Sequence, residues 1–129
     1  EDYASKLAEM FIVDFYSLSD KTAKTDVGGV DIVYPDILNN FLENAEDTFY
    51  KYVESNVYNN RKQSLPTVNT VTVDNIEKTS FTYNDTIDEN AYKVKVSWDY
   101  TDEEFANYQK EANLVFVNKD KKLYLVELK

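Results

Sequence analysis

Carboxylates, phenols and ammonium groups carry what reactive chemistry this sequence has, because it contains no cysteine and no histidine. Thiol nucleophiles, histidine-dependent triads, disulfide bonds and ordinary zinc sites are therefore excluded. The only two glycines are the adjacent Gly28 and Gly29, which disfavours a glycine-rich cradle for phosphate. We expect no cofactor and no metal.

One set of residues could perform proton transfer inside a cavity. Such chemistry needs a carboxylate whose pKa is raised by burial, beside a donor that stabilises a developing oxyanion. Asp14 and Tyr16 are the catalytic candidates if the protein is an enzyme, and the pocket would be lined by Tyr92, Trp98 and Tyr100. Asp14 lies off the apolar stripe of its segment, which favours a solvated position. We therefore predict that the chain is not an enzyme.

Acidic residues form two clusters in predicted connections. One contains Asp85, Asp88 and Glu89, and the other contains Asp99, Asp102, Glu103 and Glu104. Neither has the spacing of a calcium-binding loop with its central glycine. We predict solvated loops, of which the second could form an acidic patch that attracts a basic protein partner.

The overall charge limits the classes of partner. With 24 acidic and 14 basic residues the net charge is −10. A chain this acidic is repelled by phosphate backbones and anionic lipid heads. We predict no binding to nucleic acid and no binding of the isolated domain to membranes.

Hydrophobic periodicity predicts two helices. Apolar residues recur at three- and four-residue steps over about 2–19 and again over about 35–58, where Pro35 suits a first helical turn. A break near Asn39–Asn40 is the alternative to one long second helix. The polar stretch between the helices ends at Gly28–Gly29 and is predicted to be a loop.

From Thr67 the apolar period changes to two, which predicts strands over about 67–84, 91–101, 111–118 and 122–128. A phase slip in the first strand predicts a β-bulge at Asp74–Asn75. The turn-forming residues 84–90 predict a hairpin connection. The second strand alternates cleanly, so its apolar face, from Tyr92 to Tyr100, should contact the helices. The last two strands are apolar on both faces and should be central or covered.

Two helices followed by a meander predict one α+β domain over 1–129, with the helices on one face of a bent antiparallel sheet. The element order resembles the nuclear-transport-factor-2-like (cystatin-like) cone. Three segments are similar to extracytoplasmic domains of this type in membrane-anchored proteins of Gram-positive bacteria: Phe11-Ile12-Val13-Asp14-Phe15-Tyr16, Phe49-Tyr50-Lys51-Tyr52-Val53 and Lys121-Lys122-Leu123-Tyr124-Leu125-Val126-Glu127.

The resemblance implies a non-catalytic extracytoplasmic module for binding or assembly, anchored to a membrane through a segment before Glu1. The alternatives are a subunit of a secretion or conjugation machine and a small-molecule isomerase or dehydratase. The expected partner is a protein or cell-envelope component, and a second copy of the chain is one candidate. Tyrosines predicted to lie off the apolar faces are the interface candidates: Tyr3, Tyr50, Tyr58 and Tyr108.

Overall fold

The computed structural model describes residues 2–51, 53, 62–83, 86–105 and 107–129. Helix α1 spans Asp2–Tyr16 and helix α2 spans Leu38–Asp47. The strands are β1 Val68–Tyr83, β2 Thr86–Tyr100, β3 Glu111–Lys119 and β4 Lys122–Leu128. They form one antiparallel sheet in the order β1-β2-β3-β4. The predicted α+β class, with N-terminal helices packed on an antiparallel meander, is confirmed.

Strand β2 has the predicted two faces. Val94, Val96 and Trp98 are buried in the main core, which also contains the apolar residues of α1, and Tyr92 and Tyr100 pack against it half-buried. Side chains between them point the other way, and three of these are exposed: Lys93, Lys95 and Asp99. The alternation in the sequence therefore identifies the side of the sheet that the helices cover.

The predicted bulge in β1 is confirmed. Val73 pairs with Val96 and Asn75 pairs with Lys95, so Asp74 is the extra residue. The insertion shifts the phase of the strand by one residue. Ile76 is consequently returned to the core side, where it packs half-buried.

The predicted hairpin connection over 84–90 is too long. Strand β2 already begins at Thr86, and Ile87 and Asp88 pair with Thr82 and Phe81. The Asp88 carboxylate accepts hydrogen bonds from the backbone N–H groups of Asn90, at 2.8 Å, and Asn118, at 2.7 Å. This turn-forming residue thus bonds across to β3 instead of ending the strand. The remaining connection, 84–85, lies outside the described residues.

Both predicted helices are too long at their C-terminal ends. Helix α1 ends at Tyr16 rather than near 19, because the backbone N–H groups of Leu18 and Ser19 bond to Pro66 O. Pro35–Ile37 is a 3₁₀ turn, and α2 ends at Asp47 rather than near 58. The Tyr50 N–H donates to Ala45 O, and the Lys51 N–H donates to Thr48 O, which closes a turn over 48–51. The Tyr50 side chain is buried in the core. Residues 52 and 54–58 of the predicted helix lie outside the described residues.

The last two strands are covered on both faces, as predicted. Leu114, Phe116 and Leu125 belong to the main core, whereas Val115, Val117 and Val126 form a smaller cluster with Tyr34 on the other face. The outer edge of β4 meets the segment that follows the first 3₁₀ turn, Val30–Ile32: Val33 forms a parallel bridge with Leu125, and the Tyr34 N–H donates to Leu125 O. Of residues 30–34, only the last two are therefore extended.

Trp98→Ala should lower the free energy of unfolding by about 3–5 kcal/mol, because it removes the largest side chain from the helix-facing side of β2. Lys95→Ala, on the exposed face of the same strand, is the matched control and should change stability by less than about 0.5 kcal/mol. Urea denaturation of both variants measures the difference. A loss below about 1 kcal/mol for Trp98→Ala would contradict the assigned face.

Candidate functional site

The structure separates the two catalytic candidates, Asp14 and Tyr16. Two residues along an α-helix turn the side chain through about 200°. Tyr16 is buried in the core, whereas the Asp14 side chain is 57% exposed. They do not face one cavity, so they cannot act on the same substrate atom.

Asp14 holds the loop that follows α1. Its Oδ2 accepts the Gly29 N–H at 2.7 Å, and its Oδ1 accepts Lys21 Nζ at 3.2 Å. Lys21 also contacts Asp20 at 3.0 Å and is almost fully buried. A buried ammonium needs such paired carboxylates, because desolvating an unpaired charge is costly. Asp14 therefore has a structural role on the outer side of α1.

The two glycines are required where this loop meets α1. A Cβ atom at Gly28 would lie 2.2 Å from the Asp14 backbone oxygen, and one at Gly29 would lie 2.4 Å from the Phe11 ring. Gly29 also has a φ angle of 77°, a conformation that side-chain-bearing residues rarely adopt. The loop backbone therefore packs directly against the helix.

Tyr50 joins the loop, α1 and the end of α2. Its hydroxyl accepts the Gly28 N–H at 3.0 Å and donates to Phe15 O at 2.6 Å, and the side chain is fully buried. Burial raises the pKa of Tyr50 above its ordinary value, which the Gly28 hydrogen bond partly offsets. The prediction that Tyr50 lies at an interface is wrong. Tyr3 and Tyr108 are exposed, and Tyr58 lies outside the described residues.

Three of the predicted site residues do come together. The rings of Tyr16 and Trp98 lie 4.5 Å apart, centre to centre, and the Tyr100 hydroxyl donates to Gln109 O. Burial raises the pKa of Tyr16, the nearby Tyr100 adds to this, and a hydrogen bond with the Gln109 side chain opposes it. Burial likewise raises the pKa of Tyr100, opposed by a contact with the Trp98 side chain. Buried Trp98 Nε1 nevertheless has no well-formed hydrogen bond to any described residue.

Tyr92, the third predicted pocket residue, does not join this cluster. It lies six residues before Trp98 on β2, about 20 Å away along the strand. It pairs with Phe116 of β3 and is half-buried against the core.

The predicted acidic patch is exposed, and three of its residues accept hydrogen bonds, Glu104 from the Ser64 hydroxyl. Asp99 accepts the Thr70 N–H at 2.8 Å, and Asp102 accepts the Glu104 N–H at 3.2 Å at the start of the 3₁₀ turn Glu103–Phe105. Asp99, Asp102, Glu103 and Glu104 are all exposed. Within the described residues no group of three or more carboxylates could hold a metal ion.

A half-open cleft of about 500 Å³ lies between α2 and the end of β4. Its apolar wall is formed mainly by aromatic rings from the end of α1, from α2 and from the turn after it: Phe15, Tyr16, Phe41 and Phe49. Their ring centres lie within 4.7–6.1 Å of one another in the pairs Phe15–Phe41, Phe15–Phe49 and Tyr16–Phe49. Tyr16 therefore connects the Trp98 cluster to the cleft.

The polar groups of the cleft are mostly neutral. Asn40, Asn44 and Thr48 lie four residues apart along the cleft side of α2 and the turn after it, and Gln109 lies across from them. Glu127 and Lys129 are both partly or fully exposed and form an ion pair at 3.8 Å. No carboxylate is buried in the described part of the chain. The cleft can therefore hold an apolar group and hydrogen-bond to a polar group attached to it, but its described lining contains no buried base.

The row of polar residues that lines the cleft was not predicted from the sequence. The spacing of Asn40, Asn44 and Thr48 is a helical signal that would have placed them on one face. The apolar period over 35–58 includes Phe41 and Phe49, and both pack half-buried against the core. Phe49 lies beyond the end of α2, which the periodicity did not reveal.

Comparisons of the chain with protein-family models, with curated proteins and with solved structures found no match. None of the described helices is both long enough and apolar enough to cross a membrane.

Alkaline unfolding tests the buried phenol that lines the cleft. Because its pKa is raised in the folded state, Tyr16 stabilises the fold fully below pH about 10 and loses that contribution as pH rises further, by about 1.4 kcal/mol per pH unit. Tyr16→Phe should make the free energy of unfolding fall less steeply between pH about 10 and 11.5 by that amount. Urea titrations across this range measure it, with exposed Tyr3→Phe as control. An unchanged slope in Tyr16→Phe would contradict the burial of this hydroxyl.

Proposed function

We propose that this protein is a non-catalytic binding module that holds an apolar group of its partner in the cleft between α2 and β4. The observation that carries the proposal is the composition of the cleft, which combines four aromatic residues with neutral amides. Binding sites for small molecules and side chains have this character: a mainly apolar wall with a few polar groups that fix orientation.

The half-exposed rings provide the binding energy in this proposal. Phe41 and Phe49 are only partly buried, so a ligand can remove more of their surface from water. Each square ångström of apolar surface buried contributes about 25 cal/mol. Packing of these rings against one another keeps the wall in place before a ligand arrives, which lowers the entropic cost of binding.

The amides define the polar part of the ligand. Asn40 and Asn44 each offer both a donor and an acceptor, and neither is charged. The Thr48 hydroxyl donates to the backbone carbonyl of Asn44 at 2.6 Å, so it is less available as a donor to a ligand. The ligand class that fits is a flat or branched apolar group bearing a neutral amide or hydroxyl, such as a side chain and backbone of a protein segment.

The alternative, an enzyme that transfers a proton in the cavity, needs a carboxylate that can act as the catalytic base. Among the described residues, the carboxylate that lines the cleft is Glu127, which is part-exposed and has its Oε2 3.8 Å from Lys129 Nζ. The Asp14 carboxylate binds Gly29 and Lys21 in the loop after α1. The phenol of Tyr16 is a donor, and a donor without a base does not complete proton transfer.

The wider setting is part of the same proposal and rests on the resemblance given above. We place the fold with the nuclear-transport-factor-2-like cones and the protein outside the cytoplasm, anchored to a membrane, with a protein or cell-envelope component as its partner. If the protein were instead a subunit of a secretion or conjugation machine, the same cleft would bind a different partner.

Binding of the neutral dye N-phenyl-1-naphthylamine tests the cleft. Its fluorescence should rise in a saturable way with the wild-type protein, and Asn44→Phe, which fills the cleft from an exposed position of α2, should weaken binding about tenfold or more. Asn39→Phe is the matched control, because Asn39 is exposed on the same helix but does not line the cleft. It should bind like the wild type.

Two results would overturn the proposal: no saturable binding to the wild type, or the same loss in both variants. Measured turnover of a small carbonyl or hydroxy compound that Tyr16→Phe abolishes would favour the enzyme instead.

A further inference from the structure

A second concavity lies along the outer side of α1. It has a volume of about 790 Å³ and is lined by α1, by the loop around Gly29–Ile32 and by the residues that lead into β1. Within the part of the chain that the structure describes, it shares no lining residue with the cleft. We call it the α1 groove.

The floor of the α1 groove exposes large apolar side chains. Met10 is 66% exposed and Val13 is 46% exposed, and both lie beside the less exposed Leu7 and Phe11. Two large apolar residues, one helical turn apart, form an exposed strip rather than an isolated apolar residue. Methionine is flexible and adapts to differently shaped partners.

The rim of the α1 groove is acidic. Its four carboxylates are Glu9, Asp14, Asp20 and Asp31. The ammonium of Lys21 contacts two of them, Asp14 and Asp20, and is itself buried. The groove therefore keeps a net negative charge, although Lys6 lies one turn before Met10 on α1.

We propose that the α1 groove is the docking site for a cationic amphipathic segment of a partner protein. An apolar strip between carboxylates complements a segment whose apolar residues alternate with lysine or arginine at helical spacing. The net charge of −10 on the whole chain attracts such a segment over long range. A second copy of this chain fits less well, because its own groove would present carboxylates to carboxylates.

The length of the groove suits a short helix. Helix α1 has 15 residues, which corresponds to about 22 Å. A partner helix of two heptads has a similar length, and it can place apolar residues on Met10 and Val13 with its cationic residues toward Glu9 and Asp31.

The probe is a fluorescein-labelled peptide of two heptads with leucine along one face and lysine on the other. Its twin carries glutamate in place of every lysine. Fluorescence anisotropy should show saturable binding of the lysine peptide that weakens with added salt, and the twin should bind at least about tenfold more weakly.

Matched variants locate the binding. Val13→Lys and Met10→Lys place a positive charge on the floor of the groove, and Ile87→Lys makes the same change in net charge at a 63% exposed position on β2 outside it. The two groove variants should weaken binding about tenfold, whereas Ile87→Lys should change it less than about twofold.

The proposal is overturned if the lysine peptide does not bind, if all three variants weaken it equally, or if both peptides bind alike. It is also overturned if sedimentation shows a dimer of the protein that Val13→Lys separates, since the groove would then be a contact between copies. These outcomes do not depend on the dye experiment, because no described residue lines both the groove and the cleft.

Discussion

The hydroxyl of Tyr50 satisfies two backbone groups at the point where three segments of the helical layer meet. The carbonyl of Phe15 lies in the last turn of α1, where helical carbonyls lack partners in their own helix. The N–H of Gly28 belongs to a loop so close to α1 that a Cβ atom would collide with the Asp14 backbone. Burying either group without a partner would cost about 1–3 kcal/mol. One phenol therefore fixes how the loop and the residues after α2 sit on α1.

Both concave surfaces depend on this arrangement. Phe49 precedes Tyr50 and forms part of the cleft wall, so the turn that buries Tyr50 also orients Phe49 toward Tyr16 at 4.7 Å. On the other side of α1, Gly29 lines the groove and bonds to Asp14, whose second oxygen contacts Lys21. Helix α1 thus separates an aromatic, nearly neutral cleft from an apolar groove with an acidic rim. Two surfaces of such different character suit two different ligands.

The alternation of apolar and polar residues was enough to predict the faces of the sheet, because successive side chains of a strand point to opposite faces. The alternation from Tyr92 to Tyr100 gave the correct buried face, and the phase slip gave the bulge at Asp74. The helix ends and the site were not predictable in this way. Helix α2 ends near the hydrogen bond from the Tyr50 N–H to Ala45 O. The buried Tyr50 hydroxyl bonds to Gly28 and Phe15, which lie 22 and 35 residues away in the chain. Asp14 was correctly placed on the exposed side, but its bond to Gly29 is a tertiary contact. The adjacent glycines were the available signal that a backbone packs closely there.

Amide hydrogen exchange at Gly28 tests most directly whether the Tyr50 hydroxyl holds the helical layer together. The chain has only two glycines, so their amide signals are readily assigned by NMR. The account predicts that the Gly28 amide of the wild type exchanges at least about a hundredfold more slowly than in an unstructured peptide. In Tyr50→Phe this protection should be largely lost, while the Trp98 amide, which bonds to Lys110 O, serves as the internal reference. Rapid exchange of Gly28 in the wild type, or protection that Tyr50→Phe leaves unchanged, would contradict the account.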